Sequence, residues 1–466
     1  MKKMDNVVMY SNIKKFLFFI LLIYIFSPMV ICESQIRPVL TQSPIKLDGL
    51  LVEPAWENAE PINDFTQREL SEGASPTEKT EVRILYDNNN LYIGVICYDS
   101  EPEKIIHKEL KLDGNLKSDD MFAFVIDTYN DKRMGQYFEV NPNGARFDAS
   151  FNNGVQIWSL NEEWDGIWDV YGRITEYGWS VEIVIPFKTL RYPSTETQVW
   201  GINFMRIIQR KHEEVLWRGW KRNDGIFQLS KAGTLHIAEP LKKGLQLDVK
   251  PYILTGVERE LDSDSDEVFN YGLDVTYGLD SNTTLTLTTK TDFAQIESDK
   301  EIINLTRFNL RYPEKRDFFL EGAETFSFTQ GSSNLFYSRR IGISPEREEV
   351  PILGGIKLTQ KTGSFRIGIM SMQTDEKNGY PQTNYSAIRV KKDIFEQSYV
   401  GFIATNLLDG KRHDNQLYGV DFKYRTDKFL TDKNFEVDAS VAGTVTDGKT
   451  GKSMAERITF LFFPTS

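Results

Sequence analysis

The sequence predicts an all-β protein: an antiparallel β-sandwich followed by a partial up-and-down β-barrel of the transmembrane type. Three observations lead to this fold class. Short segments that alternate apolar and polar residues recur along the 466-residue chain and are separated by turn-forming residues. Patterns typical of long helices are scarce. After Leu245 the alternating segments lengthen, and tyrosines recur near their ends.

Composition limits the classes of function. A chain of this length can hold two or more domains, each with its own core. Aromatic residues make up 12% of the chain, which is typical of β-rich or sugar-binding proteins. The net charge is -12 and the 55 lysines and arginines are scattered, so we expect no nucleic-acid partner.

Residues 1–32 are predicted to be a signal peptide. Lys14 and Lys15 precede the apolar run Phe16–Phe26, which is too short to span a bilayer and is ended by Ser27 and Pro28. We expect cleavage near Cys32. Lipid attachment to Cys32 is the alternative, although the bulky Ile31 disfavours it.

The central stretch of the chain predicts a β-hairpin. Met121–Ile126 is an apolar run, Gln136–Val140 is a second short strand, and turn formers lie between them. Asn141–Gly144, with the sequence Asn-Pro-Asn-Gly, is the next predicted turn. Acids gather at the hairpin ends, where a sandwich would hold a ligand or calcium.

These acids allow several interpretations. Asp119, Asp120 and Asp127 are candidate ligands for calcium, the one cofactor that we predict, or else hydrated strand ends. Glu139 with Asp148 is a second candidate pair of calcium ligands, or else of hydrated strand ends. Paired carboxylates for glycoside hydrolysis stay open, because the required separation is spatial. The 4 histidines form no zinc or triad pattern.

Other predicted elements of the first half follow the same rules. Ile45–Ala59 predicts an Asp-Gly turn and a short helix that packs Trp56 against the core. The remaining strands are predicted in Thr80–Asp99, which is a hairpin, and in Gly178–Tyr192, Trp200–Ile208 and Gly233–Ala238, so that the domain closes near Pro240.

Tryptophans are the stronger indication of a ligand. Flat indole rings beside acids and amides suit saccharides, because pyranose rings have apolar C–H faces and polar rims. For each candidate, packing in the core is the alternative. The candidates are Trp158, Trp164, Trp168, Trp217 and Trp220.

The second half, residues 241–466, shows the pattern of an outer-membrane barrel. Segments such as FNYGLDVTYGL, SFRIGIMSMQT and QSYVGFIATNLL alternate apolar and polar residues and are separated by short polar turns. A soluble all-β domain is the alternative. The chain ends in FLFFPTS, without the terminal aromatic residue typical of such barrels, so we expect an incomplete barrel.

Residues 36–240 resemble the family 9-like carbohydrate-binding module. The resemblance rests on IKLDGLLVEPAWENA, VRILYDNNNLYIGVICYD, the strand MFAFVID, YFEVNPNGARFD, WSVEIVIPFKTL and WGINFMR. It implies a β-sandwich, secretion and binding of glycans, often with calcium. It also implies ligand contacts near the central hairpin, which brings in Glu139 and Asn141.

This chain departs from the family at its expected ligand clamp. Sugar-binding members hold the ligand between two tryptophans, and the corresponding neighbourhoods here contain Leu116-Lys117 and Ile226-Phe227. Phe227 is therefore the aromatic candidate at the second position. Ala123 and Glu139 stand where polar ligand contacts are expected.

The second half is similar to a barrel-type domain of unknown function that follows such modules in outer-membrane proteins of Gram-negative bacteria. Its most specific stretch is Thr291–Phe326, whose charged residues suit a lumen or plug surface. Similar proteins are longer, which again indicates missing strands.

Together these features predict a non-catalytic protein that binds poly- or oligosaccharide at the cell envelope and supports polysaccharide catabolism. It would lie in the outer membrane, in contact with its lipid, or in the periplasm after removal of the signal peptide. One alternative is a glycoside hydrolase acting on O-glycosyl bonds. Another is a structural envelope protein whose sandwich caps the barrel.

Overall fold

The computed structural model describes residues 34–152, 160–241, 245–258, 266–291, 312, 314–330, 333–344, 349–410, 414–430, 433–446 and 449–463. The predicted signal peptide lies outside these residues. From Gln35 onward the described chain packs as one unit. No helix of the described part is long and apolar enough to cross a bilayer.

Strands dominate the structure, as the sequence predicts. Within the described ranges there are three α-helices of four residues each, α1 (Pro54–Glu57), α2 (Asp317–Leu320) and α3 (Ala323–Phe326). The first thirteen strands are β1 (Gln35–Ile36), β2 (Val39–Leu40), β3 (Thr66–Glu69), β4 (Thr80–Tyr86), β5 (Asn90–Tyr98), β6 (Met121–Asp127), β7 (Met134–Val140), β8 (Arg146–Asn152), β9 (Asp169–Thr175), β10 (Gly178–Pro186), β11 (Gln198–Ile208), β12 (Glu213–Leu216) and β13 (Gly233–Ile237).

The later strands are mostly longer. They are β14 (Leu247–Glu258), β15 (Asp266–Gly278), β16 (Thr283–Thr289), β17 (Thr329–Gln330), β18 (Ser333–Asn334), β19 (Ile352–Thr362), β20 (Phe365–Thr374), β21 (Asn384–Ile394), β22 (Ser398–Leu408), β23 (Asn415–Phe429), β24 (Lys433–Thr446) and β25 (Lys449–Phe463).

Strands β1 to β13 form the predicted β-sandwich. One sheet runs β1-β13-β11-β6-β7-β8, and β12 links β11 to β3. The other sheet runs β2-β4-β5-β10-β9. Pairing is antiparallel except that the short strands β1 and β2 pair in parallel with β13 and β4.

Large aromatic residues fill the space between the two sheets. Phe122, Phe124 and Phe138 are fully buried there, and the rings of Phe124 and Phe138 stack with centroids 4.8 Å apart. Trp179 and Trp200 complete this core from the facing sheet and from β11. Their burial supplies much of the apolar area that stabilises the sandwich.

The helix α1 packs as predicted. Trp56 is buried, and its indole Nε1 donates to Glu182 Oε1 on β10 (3.0 Å). The other oxygen of Glu182 accepts from the backbone N–H groups of Asp48 (2.8 Å) and Gly49 (2.9 Å) in the Asp-Gly turn. One buried carboxylate thus holds the turn and the helix against the sheet.

The predicted central hairpin is confirmed. Phe122 pairs with Val140 and Phe124 with Phe138 across β6 and β7. The turn after β7 closes through a hydrogen bond from Gly144 N to Asn141 O (3.0 Å). Gly144 has a φ of +80°, which favours glycine.

Strands β14, β15, β16 and β19 to β25 form one ten-stranded antiparallel sheet in sequential order. The all-β prediction is confirmed. Among the described pairings β14 and β25 do not join, and the predicted barrel stays a prediction. One face of the sheet buries charged residues such as Lys357, Arg389 and Lys391, whereas Ile369 and Ile388 are exposed on the other.

The described residues between 314 and 344, which we call the covering segment, lie on the charged face. Lys391 Nζ donates to Glu324 O (2.8 Å), and Arg389 donates to Ser327 O (3.0 Å). Phe326 packs against the backbone at Gly368, where a Cβ would lie 2.7 Å from its ring. Backbone carbonyl groups of this segment therefore accept hydrogen bonds from buried basic side chains of the sheet.

The sandwich contacts the ten-stranded sheet through polar groups. Arg133 pairs with Asp393 (3.4 Å) and donates to Ser398 O (2.8 Å). Lys231 pairs with Asp427 (2.9 Å). These contacts place the start of β7 beside β21 and β22, and the segment before β13 beside β23.

Candidate functional site

The three candidate calcium ligands do not lie together. Asp119 and Asp120 precede β6, whereas Asp127 ends it, about 23 Å away along an extended strand. Asp119 Oδ2 accepts from the backbone N–H groups of Lys108 and Glu109 (both 2.8 Å). Asp120 accepts from Ile106 N (2.7 Å).

Asp127 has a separate environment. Its Oδ2 accepts from Lys132 N (2.8 Å), and burial together with the nearby Asp131 raises its pKa to about 7. Calcium requires about six to eight oxygen ligands. Within the described residues no group of three or more acids, histidines or cysteines could hold a metal ion. The set Asp119, Asp120 and Asp127 therefore does not fit a single calcium ion, and calcium binding stays a prediction.

The side-chain amide of Asn141 forms all its hydrogen bonds within the protein. Its Nδ2 donates to Glu109 O and Asp119 Oδ2 (both 2.9 Å), and its Oδ1 accepts from Asn143 N and Ala145 N (both 3.0 Å). An amide has about two donor and two acceptor positions, so this side chain has none left for a ligand. It holds the turn after β7.

Two of the tryptophan candidates are buried. Trp168 donates from Nε1 to Asp148 Oδ2 (2.6 Å) and packs edge-on against Phe138 at 5.2 Å. Trp217 donates to Asp64 Oδ1 (2.7 Å) and packs against Phe204 at 5.6 Å. Both stabilise the sandwich, which is the alternative that the sequence left open for each.

The other tryptophans differ in position. Trp158 lies outside the described residues. Trp220 is half-buried and packs in an apolar cluster on the sheet that contains β6, β7 and β11. This cluster lies on the outer face of that sheet, which is the face turned away from the sandwich core. Trp164 is half-buried at the end of the sandwich and packs edge-on against Phe138 at 5.9 Å. The five candidates therefore form no common platform in the described residues.

The outer face holds Glu139 and Phe227 beside Tyr137. The Phe227 ring lies 5.0 Å from those of Tyr137 and Phe151. The Tyr137 hydroxyl donates to Glu139 Oε2 (2.8 Å), and burial raises the pKa of Glu139 to about 7. The protein's own Phe227 thus fills the place where the resemblance implies a sugar clamp.

Glu139 and Asp148 do not face each other. Asp148 pairs in register with Phe138, so its side chain lies on the core side of the sheet, opposite to that of Glu139. Burial raises the pKa of Asp148 to about 7 as well, and its Oδ2 accepts from Trp168 Nε1 and Gly166 N (3.1 Å). These two carboxyl groups therefore do not bind one calcium ion together.

A cavity of about 570 Å³ lies between the end of the sandwich and the ten-stranded sheet. Trp164, Gln136 and Asn161 line it from the sandwich side. Gln246 and Thr359 line it from the sheet, and the covering segment contributes a further wall. A tryptophan, amides and hydroxyl groups therefore meet in the wall of this cavity.

Sequence reasoning missed Gln136. The buried Oε1 atom of this side chain has no hydrogen-bond partner among the described residues. Gln136 pairs with Ile126 and lies on the same face of β7 as Phe138, at the end of the sandwich core where the cavity begins. The alternation of β7 could have indicated which face it occupies. No sequence signal indicates that the ten-stranded sheet would enclose it.

Comparison with known families agrees with the resemblance of the first half. Residues 47–227 match the family described as Carbohydrate family 9 binding domain-like. Residues 243–361 match a domain of unknown function, DUF5916. The comparison with curated proteins found no match. The N-terminal part of the chain is therefore a domain similar to carbohydrate-binding module family 9.

Solved structures also match this part. A carbohydrate-binding module family 9 from Caldicellulosiruptor kristjanssonii in complex with cellotriose is 16% identical, with a TM-score of 0.31 over 44% of this chain and 94% of that one. The same module in complex with glucose is 16% identical, with a TM-score of 0.30 over 45% and 96%. A candidate carbohydrate-binding protein from Bacteroides uniformis ATCC 8492 is 12% identical, with a TM-score of 0.35 over 44% and 99%.

Proposed function

We propose that the chain binds saccharide through its N-terminal sandwich and is held at the outer membrane by its ten-stranded sheet. The match of residues 47–227 to the carbohydrate family 9 domain carries the proposal of saccharide binding. Catalysis is not required, because the sandwich can retain a polysaccharide by stacking and hydrogen bonding alone. Such retention would support polysaccharide catabolism at the cell surface.

The exposed face of the ten-stranded sheet supports a membrane location. Ile369 and Ile388 pair across β20 and β21 and are both exposed, and Phe402 and Val420 continue this apolar face on the next strands. An apolar outer face opposite a charged inner face is typical of outer-membrane strands. Lipid acyl chains are the partner that we propose for this face, after removal of residues 1–32.

A glycan array probed with the full chain tests saccharide binding. We expect retention on at least one poly- or oligosaccharide, and release of the chain when the same free sugar is added. Retention on no glycan would overturn the proposal. Release of reducing sugar during the assay would instead indicate a hydrolase.

A second candidate function is a structural cap for the sheet. The ion pairs Arg133–Asp393 and Lys231–Asp427 favour it, because they fix the sandwich on the sheet without any ligand. Under this alternative the chain would bind no glycan. Disruption of these pairs would then impair assembly in the membrane, and heat-modifiable migration on gels would report it.

A further inference from the structure

We propose that the cavity between the sandwich and the ten-stranded sheet is a binding site for an uncharged sugar residue. It would be a site separate from the outer face on which Phe227 lies. This inference rests on the proposed saccharide binding and adds its location and the class of sugar. Trp164 would be the stacking surface and Gln136 the main hydrogen-bonding group.

The neighbours of Trp164 hold its ring at the cavity wall. Phe138 supports the ring edge-on, and Gly166 lets the ring lie close, since a Cβ at Gly166 would be 2.9 Å from the indole. The backbone of Asn161 pairs with Ser150 on β8, and Trp164 N donates to Asn161 O (3.3 Å). A ring fixed in this way binds a sugar face with little loss of side-chain entropy.

The cavity also holds polar groups that have no partner in the described protein. The amide of Gln136 makes no hydrogen bond to the described residues, and its oxygen is buried. The indole N–H of Trp164 likewise has no acceptor among them. A buried acceptor without a donor costs about 1–3 kcal/mol, so a ligand hydroxyl that donates to it is favoured.

Charges of the wall favour an uncharged ligand. Among the described residues, three of the four cations that line the cavity are paired: Arg366 with Asp393 (2.8 Å), Arg191 with Glu321 (3.4 Å), and Lys361 with Asp131. The fourth, Lys188, is exposed to solvent. A uronate or a phosphosugar would have to compete with these carboxylates for the cations. The hydroxyl groups of a neutral sugar need no such exchange.

The size and the composition of the cavity suit such a ligand. Its volume of about 570 Å³ lies within the usual range for small-molecule sites, about 300–1,000 Å³. Gln246, Thr359 and Glu321 complete the wall from the second half of the chain. The site therefore needs both halves.

The test measures binding of a neutral oligosaccharide from the array to the full chain by calorimetry. We expect Trp164→Ala to weaken binding at least about tenfold and Gln136→Ala about fivefold. Tyr171→Ala removes an exposed aromatic residue of β9 outside the cavity and should change affinity less than about twofold. Circular dichroism would verify that each variant is folded.

Two further measurements keep the result decisive if Trp164→Ala misfolds. Trp164→Phe retains a stacking ring, so this variant should bind the sugar more weakly than the natural chain. It should still bind more tightly than the double variant that carries both Gln136→Ala and Trp164→Phe. Raising the salt concentration should leave affinity unchanged, because no ligand charge is involved.

Opposite outcomes separate the two proposals. If the natural chain binds glycan but Trp164→Ala and Gln136→Ala bind equally well, while Phe227→Ala does not, the sugar occupies the outer face and the inference is wrong. Preference for a uronate oligosaccharide would also overturn it. If the natural chain binds no glycan at all, the proposed function itself fails.

Discussion

At the scale of single residues, the buried carboxyl group of Glu139 makes stability depend on pH. Burial raises its pKa to about 7, so between about pH 4.5 and 7 the folded chain retains a proton that the unfolded chain has lost. Stability therefore falls as the pH rises through this window. Glu139→Gln should remove this contribution, which is on the order of 3 kcal/mol.

Denaturant midpoints between pH 5 and 8, followed by tryptophan fluorescence, measure this effect. The exposed Glu60 supplies the matched control, because Glu60→Gln makes the same substitution at the surface and should change the free energy of unfolding by less than about 0.5 kcal/mol. Asp148 and Asp127 also have raised pKa values, so the profile of Glu139→Gln should be flatter but not flat. An unchanged slope in Glu139→Gln would show that this carboxyl group titrates normally.

Trp168 gives a second prediction at this scale. Trp168→Phe retains an aromatic ring beside Phe138 but removes the N–H group that donates to the buried Asp148. We expect a loss of about 1–3 kcal/mol in the free energy of unfolding. Trp220→Phe is the matched control, since the Trp220 indole N–H has no acceptor among the described residues, and a loss of equal size there would contradict the explanation.

The residue types of the candidate site were predictable from the sequence, but their orientations were only partly so. In β7 the alternation separates Glu139 from Phe138, and the structure agrees. Trp164 and Trp168 lie in a stretch with no regular alternation, so their burial depends on contacts with β7 and β8 that are distant in sequence. Gln136 gains its importance from the second half of the chain, which local pattern cannot indicate.

At the scale of elements, the turn after β7 packs tightly on β9. A Cβ at Gly172 would lie 2.5 Å from Pro142 O and 2.9 Å from Gly144 N, both backbone atoms of the turn. Gly172→Ala should therefore displace the turn and destabilise the sandwich by about 1–3 kcal/mol. Gly256→Ala in β14 is the control, because no atom lies within 4 Å of its Cβ position.

Thermal unfolding of the two glycine variants distinguishes packing from backbone entropy. Substitution of glycine by alanine in open space is near neutral or stabilises by up to about 1 kcal/mol. If Gly172→Ala were as stable as Gly256→Ala, the turn and β9 would not be in close contact in solution.

Hairpins were the elements best predicted from the sequence, because two strands joined by a short turn form their backbone hydrogen bonds with each other. The pairs β4–β5 and β6–β7 lie within the predicted stretches. The parallel pairing of β1 with β13 joins strands about two hundred residues apart and carries no local signal. Most of the stretch Thr291–Phe326, predicted to form a lumen or plug surface, lies outside the described residues; within its described part Arg316 is buried and paired with Glu314 (2.8 Å).

At the scale of the whole molecule, the two halves depend on shared polar contacts. Asp393 forms ion pairs with Arg133 of the sandwich and with Arg366 of the sheet, so one carboxylate links the two parts of the molecule. Composition and alternation predicted two kinds of β-structure in one chain. They could not predict the junction, since ion pairs between distant segments leave no periodic pattern in the sequence.

The proposed membrane location gives a prediction for the whole molecule. Ile388 is 46% exposed on the apolar face of the sheet, and Ile388→Lys would place a charge there. If lipid covers this face, the variant should assemble into vesicles less well, at a cost of about 2–4 kcal/mol near the bilayer centre. Val52→Lys in the sandwich, at a position that is 71% exposed, should have no effect on assembly. Heat-modifiable migration after incubation with vesicles measures the assembled fraction, and equal fractions for both variants would show that water, not lipid, covers Ile388.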